Sequence, residues 1–228
     1  MLIPMFCPAA SQVRSITFVG SNAVSAAANT TPTLSLPSGA AAGDLCVIQY
    51  GSLATAGTAI PGFTLIAANQ TSGGRQNVLS WKLLTPSDIS TGSISAQRST
   101  SAVRTSIAVF KPDKPITDVT VLGIKNGTNK ASSVVTQTIP SSAGLKPFVV
   151  VAAWYTAGSV AASATMNGTL TTTGVKVAGT ISVYGQYYRI FNSADTPVDL
   201  TIGGTGTDST SGASNLNWYL ESCYIQLS

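Results

Sequence analysis

One ordered set of strand and turn signals occurs twice in this chain, so its fold has to accommodate two copies of one supersecondary pattern. The segment from Arg14 to Lys111 can be laid over Ile116 to Ser228 with small insertions. "SITFVGSN", Ser15 to Asn22, matches "DVTVLGIKNG", Asp118 to Gly127, each an alternating strand that ends on a glycine. "TLSLPSG" and "TQTIPSS" follow, short alternating strands closed by Pro37 and Pro140. Then come "DLCVIQY" and "PFVVVAAW", continuous apolar runs of the kind buried on both faces of a sheet. Leu45 to Tyr50 is therefore expected to overlie Phe148 to Ala153. In the first copy, Pro37 and the small residues up to Gly43 and Asp44 form the turn that carries the chain from an outer strand to a central one.

Further along, each copy passes a loop glycine, Gly62 or Gly168, and reaches a strand with an aromatic before a base. These are Trp81-Lys82 in "NVLSWKLLTPSD" and Tyr188-Arg189 in "SVYGQYYRIFNSAD", and both stretches end at an aspartate, Asp88 or Asp195. A strand and a Gly/Ser/Thr-rich hairpin lead to the closing strands "AVRTSIAVF" and "YLESCYIQL". Each copy thus carries about seven strands in roughly 100 residues, the size of a small antiparallel sandwich. Only 9% of residues are charged, which leaves little to populate exposed helix faces, so helices should be scarce. The expected fold is all-β: two tandem antiparallel β-sandwich domains, Ig-like or jelly-roll-like, related by internal duplication. The boundaries read as an apolar N-terminal arm at 1–13, a first sandwich at 14–111, a Pro-containing linker at 112–116 and a second sandwich at 117–228. A single larger jelly roll made by fusing the halves has the same strand count.

Histidine is absent, which removes Ser-His-Asp, Cys-His and imidazole metal chemistry. Paired carboxylates could still hydrolyse glycosides. The acids Asp44, Asp88, Asp113, Asp118, Asp195, Asp199, Asp208 and Glu221 mostly sit at turns or strand ends, where Asp bends and caps the backbone. Asp88 and Asp195 are related by the repeat and so belong to different domains. No phosphate-binding or dinucleotide fingerprint occurs, and "IGGTGTDSTSG" leads towards a strand rather than a helix. No catalytic, cofactor or metal residues are assigned, and the chain is expected not to be an enzyme. The net charge of +4 comes from single, scattered bases, so no nucleic-acid stripe is present. Aromatics concentrate in the second copy, and Trp154, Tyr155 and Trp218 are candidates for stacking on a glycan if they share an exposed sheet face. Sheet packing is the plainer reading of the same residues.

The N-terminus "MLIPMFCPAAS" is apolar, without a basic n-region and interrupted by Pro4 and Pro8. It fits a signal peptide poorly and is too short to span a membrane, so no membrane insertion is expected. Leu2, Ile3, Met5 and Phe6 would each gain roughly 1.5–3 kcal/mol by full burial, which makes them candidates for docking on a partner. The alternative is that this arm forms the first edge of the fold. Cys7, Cys46 and Cys223 have no metal-binding spacing, and the latter two lie in strand patterns as small buried hydrophobes.

The succession "ITFVGSN", "LPSGAAAGDL", "PGFTLI", an aromatic-Lys strand with "LLTPSD", and "SIAVFK" resembles β-sandwich modules of tailed-bacteriophage virion proteins. The likeness is closest over Ser15 to Lys111; in the second copy Lys146-Pro147 replaces Gly43-Asp44. Such modules occur on tail tips, fibres and capsid decorations. The resemblance implies a non-enzymatic virion structural protein, exposed on the head or tail, made in the host cytoplasm without a signal peptide. Its implied partners are other capsid or tail proteins and further copies of itself, in a homo-oligomer. The alternative is a receptor- or glycan-binding adhesin module at the tail tip or fibre, whose partner is a host surface glycan.

Overall fold

The computed structural model describes residues 13–52, 60–70, 76–130, 133–137, 146–157, 160–166, 169–170, 174–178, 182–193, 195, 200–208 and 217–228; for 69–70, 125–137, 154–185, 187 and 200–221 within these, the backbone alone. The chain is all-β. Its strands are β1 (Ile16–Ala26), β2 (Thr33–Ser35), β3 (Leu45–Ser52), β4 (Thr64–Gln70) and β5 (Gln76–Leu83), then a short helix α1 (Pro86–Thr91), β6 (Ser93–Ser95) and β7 (Val103–Pro112). The second half continues with β8 (Val119–Lys130), β9 (Ser133–Gln137), β10 (Phe148–Ala157), β11 (Val160–Met166), β12 (Thr169–Leu170), β13 (Gly174–Ala178), β14 (Ser182–Phe191), β15 (Leu200–Asp208) and β16 (Asn217–Leu227). Every recorded ladder is antiparallel.

Two five-stranded sheets dominate, β1-β7-β3-β5-β4 and β13-β14-β10-β16-β8, and each has one of the two continuous apolar runs as its middle strand. All eight residues of β3 are buried, and Phe148 to Ala153 of β10 have no exposed surface. A strand flanked by two neighbours and covered on both faces can hold a polar side chain at low cost only if it is hydrogen-bonded, as Gln49 of β3 is to Asn77 Oδ1 at 3.0 Å, which is why neither run alternates. The turn before β3 follows the same logic. Gly43 takes φ +90°, a conformation that strains other residues, and its N–H donates to the Leu84 carbonyl at 2.8 Å. The Asp44 carboxylate closes the turn by accepting the Ala41 N–H at 2.8 Å.

The larger described core lies between the two five-stranded sheets. It takes Ile16, Leu45, Val47, Leu79, Ala108 and Phe110 from the first half and Val149, Val151, Ala153, Tyr188, Cys223 and Ile225 from the second. The sheets therefore pack face to face over a common apolar layer, and Ile116 of the connecting segment packs against it as well. Towards one end this layer turns polar: Ser106 Oγ donates to Gln186 Oε1 at 3.3 Å, and Gln186 Nε2 reaches the Val47 carbonyl at 3.5 Å. A second core, with Leu34, Cys46, Ile48, Tyr50, Ile60 and Val109, lies on the other face of the first sheet, under the two-stranded β2-β6 sheet. In the second half a four-stranded sheet, β12-β11-β15-β9, accompanies the five-stranded one.

Candidate functional site

The docking candidates Leu2, Ile3, Met5 and Phe6 lie outside the described residues; the root from which they extend lies within them. Val13 is buried in the inter-sheet core. The next two N–H groups, of Arg14 and Ser15, donate to Asp113 Oδ1 at 2.9 and 3.2 Å. The Ile16 N–H donates to Asn192 Oδ1 at 2.8 Å, and the Ser193 N–H donates to the Arg14 carbonyl at 3.0 Å. The root is thus tied both to the connecting segment and to the second half. The Arg14 N–H, helped by that of Ser15, holds the Asp113 carboxyl below the usual aspartate range.

Beside this root lies a cavity of about 320 Å³, lined by Asp44, Leu83, Lys111, Asp113, Pro115 and Ile116 among others. Its apolar walls come from the end of β5 and the connecting segment, and three of its charged groups have backbone partners: Lys111 Nζ donates to the Gly39 carbonyl at 2.9 Å, while Asp44 accepts from the Ala41 N–H and Asp113 from the Arg14 N–H. Burial pushes the Asp44 carboxyl up, against the opposing pull of the Ala41 N–H and the Lys111 ammonium. The cavity joins segments about seventy residues apart, from the β3 turn to the connecting segment, and no local signal in the chain announces it.

The stacking candidates sit at one end of the β10–β16 ladder. Trp154 is opposite Leu220, Tyr155 opposite Tyr219, and Thr156 opposite Trp218. By the alternation of the ladder, positions 154 and 218 belong to one face of the sheet and 155 to the other. Tyr155 is also opposite Tyr184, so three tyrosines occupy one register position across adjacent strands.

The aspartates whose side chains are described, Asp44, Asp88, Asp113, Asp118 and Asp195, each accept a hydrogen bond. Asp88 completes a capping box on α1: its Oδ2 accepts from the Thr85 N–H and hydroxyl, both at 2.7 Å, while its own N–H donates to Thr85 Oγ1. Lys82 Nζ lies 2.8 Å from both carboxylate oxygens. Burial raises the carboxyl, but the Lys82 and Thr85 donors together hold it below its ordinary value. The helix was missed in the strand reading of "LLTPSD", although Thr-x-x-Asp with proline at the first helical turn is its signature. At neutral pH, Asp88→Ala should cost about 1 kcal/mol, because it removes the N3 half of the capping box whose N-cap is Thr85, together with the Lys82 ion pair. That contribution is complete above the unfolded aspartate value near ~3.9 and is lost as pH falls through the lower folded value. Melting temperatures of the two proteins should therefore differ at pH 7 and converge only in strong acid. Asp195 repeats the local bond, its Oδ2 accepting from the Asn192 N–H at 2.7 Å. Among the described residues no three His, Cys, Asp or Glu group to hold a metal ion, and no helix is long and apolar enough to cross a membrane.

Cys46 and Cys223 are both fully buried. Burial pushes the Cys46 thiol up to about 12, with the nearby Lys82 ammonium opposing. In a Cys7→Ser variant, neither remaining thiol should react with an aromatic disulfide reagent at pH 8 until denaturant unfolds the chain. Rapid labelling of the native variant would contradict their placement. No family model matches the chain, and no curated protein or solved structure matches it either.

Proposed function

We propose that this chain is a non-enzymatic structural protein of a tailed-bacteriophage virion, an exposed decoration or accessory protein on the head or tail, made in the host cytoplasm and assembled through protein–protein contacts. The observation that carries this reading is the pair of five-stranded sheets stacked over one apolar layer, a rigid block whose surface is poor in charge and rich in hydroxyls. A role without chemistry fits the tasks of three aspartates: Asp88 caps a helix, Asp44 closes a turn, and Asp113 ties the N-terminal root to the connecting segment.

The block is best understood as two sandwiches from one duplicated unit. Read from β8, the second sheet has the order β8-β16-β10-β14-β13, which corresponds strand for strand to β1-β7-β3-β5-β4. Both edge strands β1 and β8 shift register near the matched glycines, Gly20 and Gly123. The ladders also refine the alignment of the apolar runs. Val47 faces Trp81 and Val151 faces Tyr188; Leu45 faces Phe110 and Val149 faces Ile225. Leu45 then corresponds to Val149 rather than to Phe148, a slip of one residue from the run-for-run expectation. Since successive side chains alternate between faces, only this register puts Leu45 and Val149 on the same, inter-sheet side.

Added to purified heads and tails of its phage, tagged protein should co-sediment in many copies per particle. Binding to neither, with binding to host cells, would instead support the adhesin reading.

A further inference from the structure

We infer that the cavity beside the N-terminal root is a binding site for a small neutral ligand, one that offers a hydroxyl to the Asp44 carboxylate and an apolar body to the walls. The site stands whether or not the chain belongs to a virion.

Asp44 lines the cavity although the residue as a whole is only 3% exposed. Its Oδ2 accepts the Ala41 N–H at 2.8 Å, and among the described residues no donor reaches Oδ1. Oδ1 is not sealed from solvent either; it opens onto the space that Asp44 lines. Burial raises this carboxyl more than the Ala41 N–H and the Lys111 ammonium lower it, and Lys111 Nζ gives its hydrogen bond to the Gly39 carbonyl instead. A donor to Oδ1 replaces hydration that burial has removed. Water can donate there too, but it leaves the apolar walls of Leu83, Pro112, Pro115 and Ile116 wetted. A ligand that covers those walls while making the same hydrogen bond releases that water.

The charges of the lining decide what the donor is. Asp44 and Asp113 stand with Lys111 and Lys114, two of each sign, so the lining is neutral in sum. Asp113 is held down first by the Arg14 N–H and also by the exposed Lys114 ammonium, so those two charges offset each other at the rim. An ammonium ligand would meet two lysines, and a carboxylate ligand two aspartates. A hydroxyl avoids both repulsions and still donates to Oδ1.

Cyclohexanol supplies the hydroxyl and the apolar body, its methyl ether removes only the donor, and cyclohexylammonium and cyclohexanecarboxylate put a charge in its place. In two-dimensional NMR titrations of the full chain, cyclohexanol should shift the amide signals of Ala42, Gly43, Asp44 and Lys114 with a dissociation constant on the order of 1–10 mM, as suits so small a ligand. The ether and both ions should bind at least about fivefold more weakly. In Asp44→Asn the side-chain amide can donate to either oxygen, so alcohol and ether should bind alike. Equal binding of alcohol and ether to the wild type, a comparison that needs no variant, would overturn the role of Asp44. Tighter binding of the ammonium than of the alcohol would overturn the neutral ligand. No shift at these amides by about 100 mM cyclohexanol would overturn the site itself.

Discussion

Val47→Asp is expected to abolish the native fold of both halves at once. Val47 is fully buried in the middle strand of the first sheet, and its side chain belongs to the layer that also contains Val149, Val151 and Ile225. A carboxylate there has no partner and must be buried charged, protonated against its preference, or exposed by unfolding. Each route costs several kcal/mol, on the order of 4–5, a large share of the roughly 5–15 kcal/mol that holds a domain together. Calorimetry or circular dichroism should find no cooperative transition near the wild-type melting temperature. A variant that melts like the wild type would show that Val47 does not face this core.

Phe110→Ala should cost about 3–5 kcal/mol, the range for deleting a fully buried aromatic side chain. Phe110 has no exposed surface, and its ring meets that of Tyr188 edge-on at 5.0 Å and that of Phe18 at 5.8 Å. Because Tyr188 comes from the second half, the loss crosses between halves. In urea titrations, the Phe110→Ala and Tyr188→Ala losses should fail to add by about 0.5–1.5 kcal/mol. Strict additivity would mean that the two rings do not meet.

How much of this was legible in the chain depends on whether the signal was local. The buried middle strands were, because Leu45 to Ile48 and Phe148 to Ala153 are unbroken apolar runs of the kind a doubly covered strand explains. So was the order of turns, with Gly43 where φ is positive. What covers each face was not. Alternation shows that Val47 and Val151 point away from their neighbours in the strand; it does not show that they point into one shared layer. Two separate cores, one per sandwich, were the natural expectation, and the face-to-face packing appears only in three dimensions. The polar bridge of Ser106, Gln186 and Val47 was hidden for the same reason, since a lone glutamine in "SVYGQYYRI" looks like any solvent-facing residue. The cavity beside Asp113 draws on residues far apart in the chain, so no local pattern announces it.

Residues 13–116 expressed alone provide the most direct test of the central claim that the two halves form one block over a shared core. This fragment holds the whole first sheet and the smaller core beneath it, but it leaves Leu45, Val47, Leu79, Ala108 and Phe110 without the opposite sheet. Light scattering combined with thermal melting should find it self-associated or aggregated, with a transition lost or far below that of the full chain. A monomeric fragment that melts at the temperature of the intact protein would contradict the claim and return the two halves to independent sandwiches.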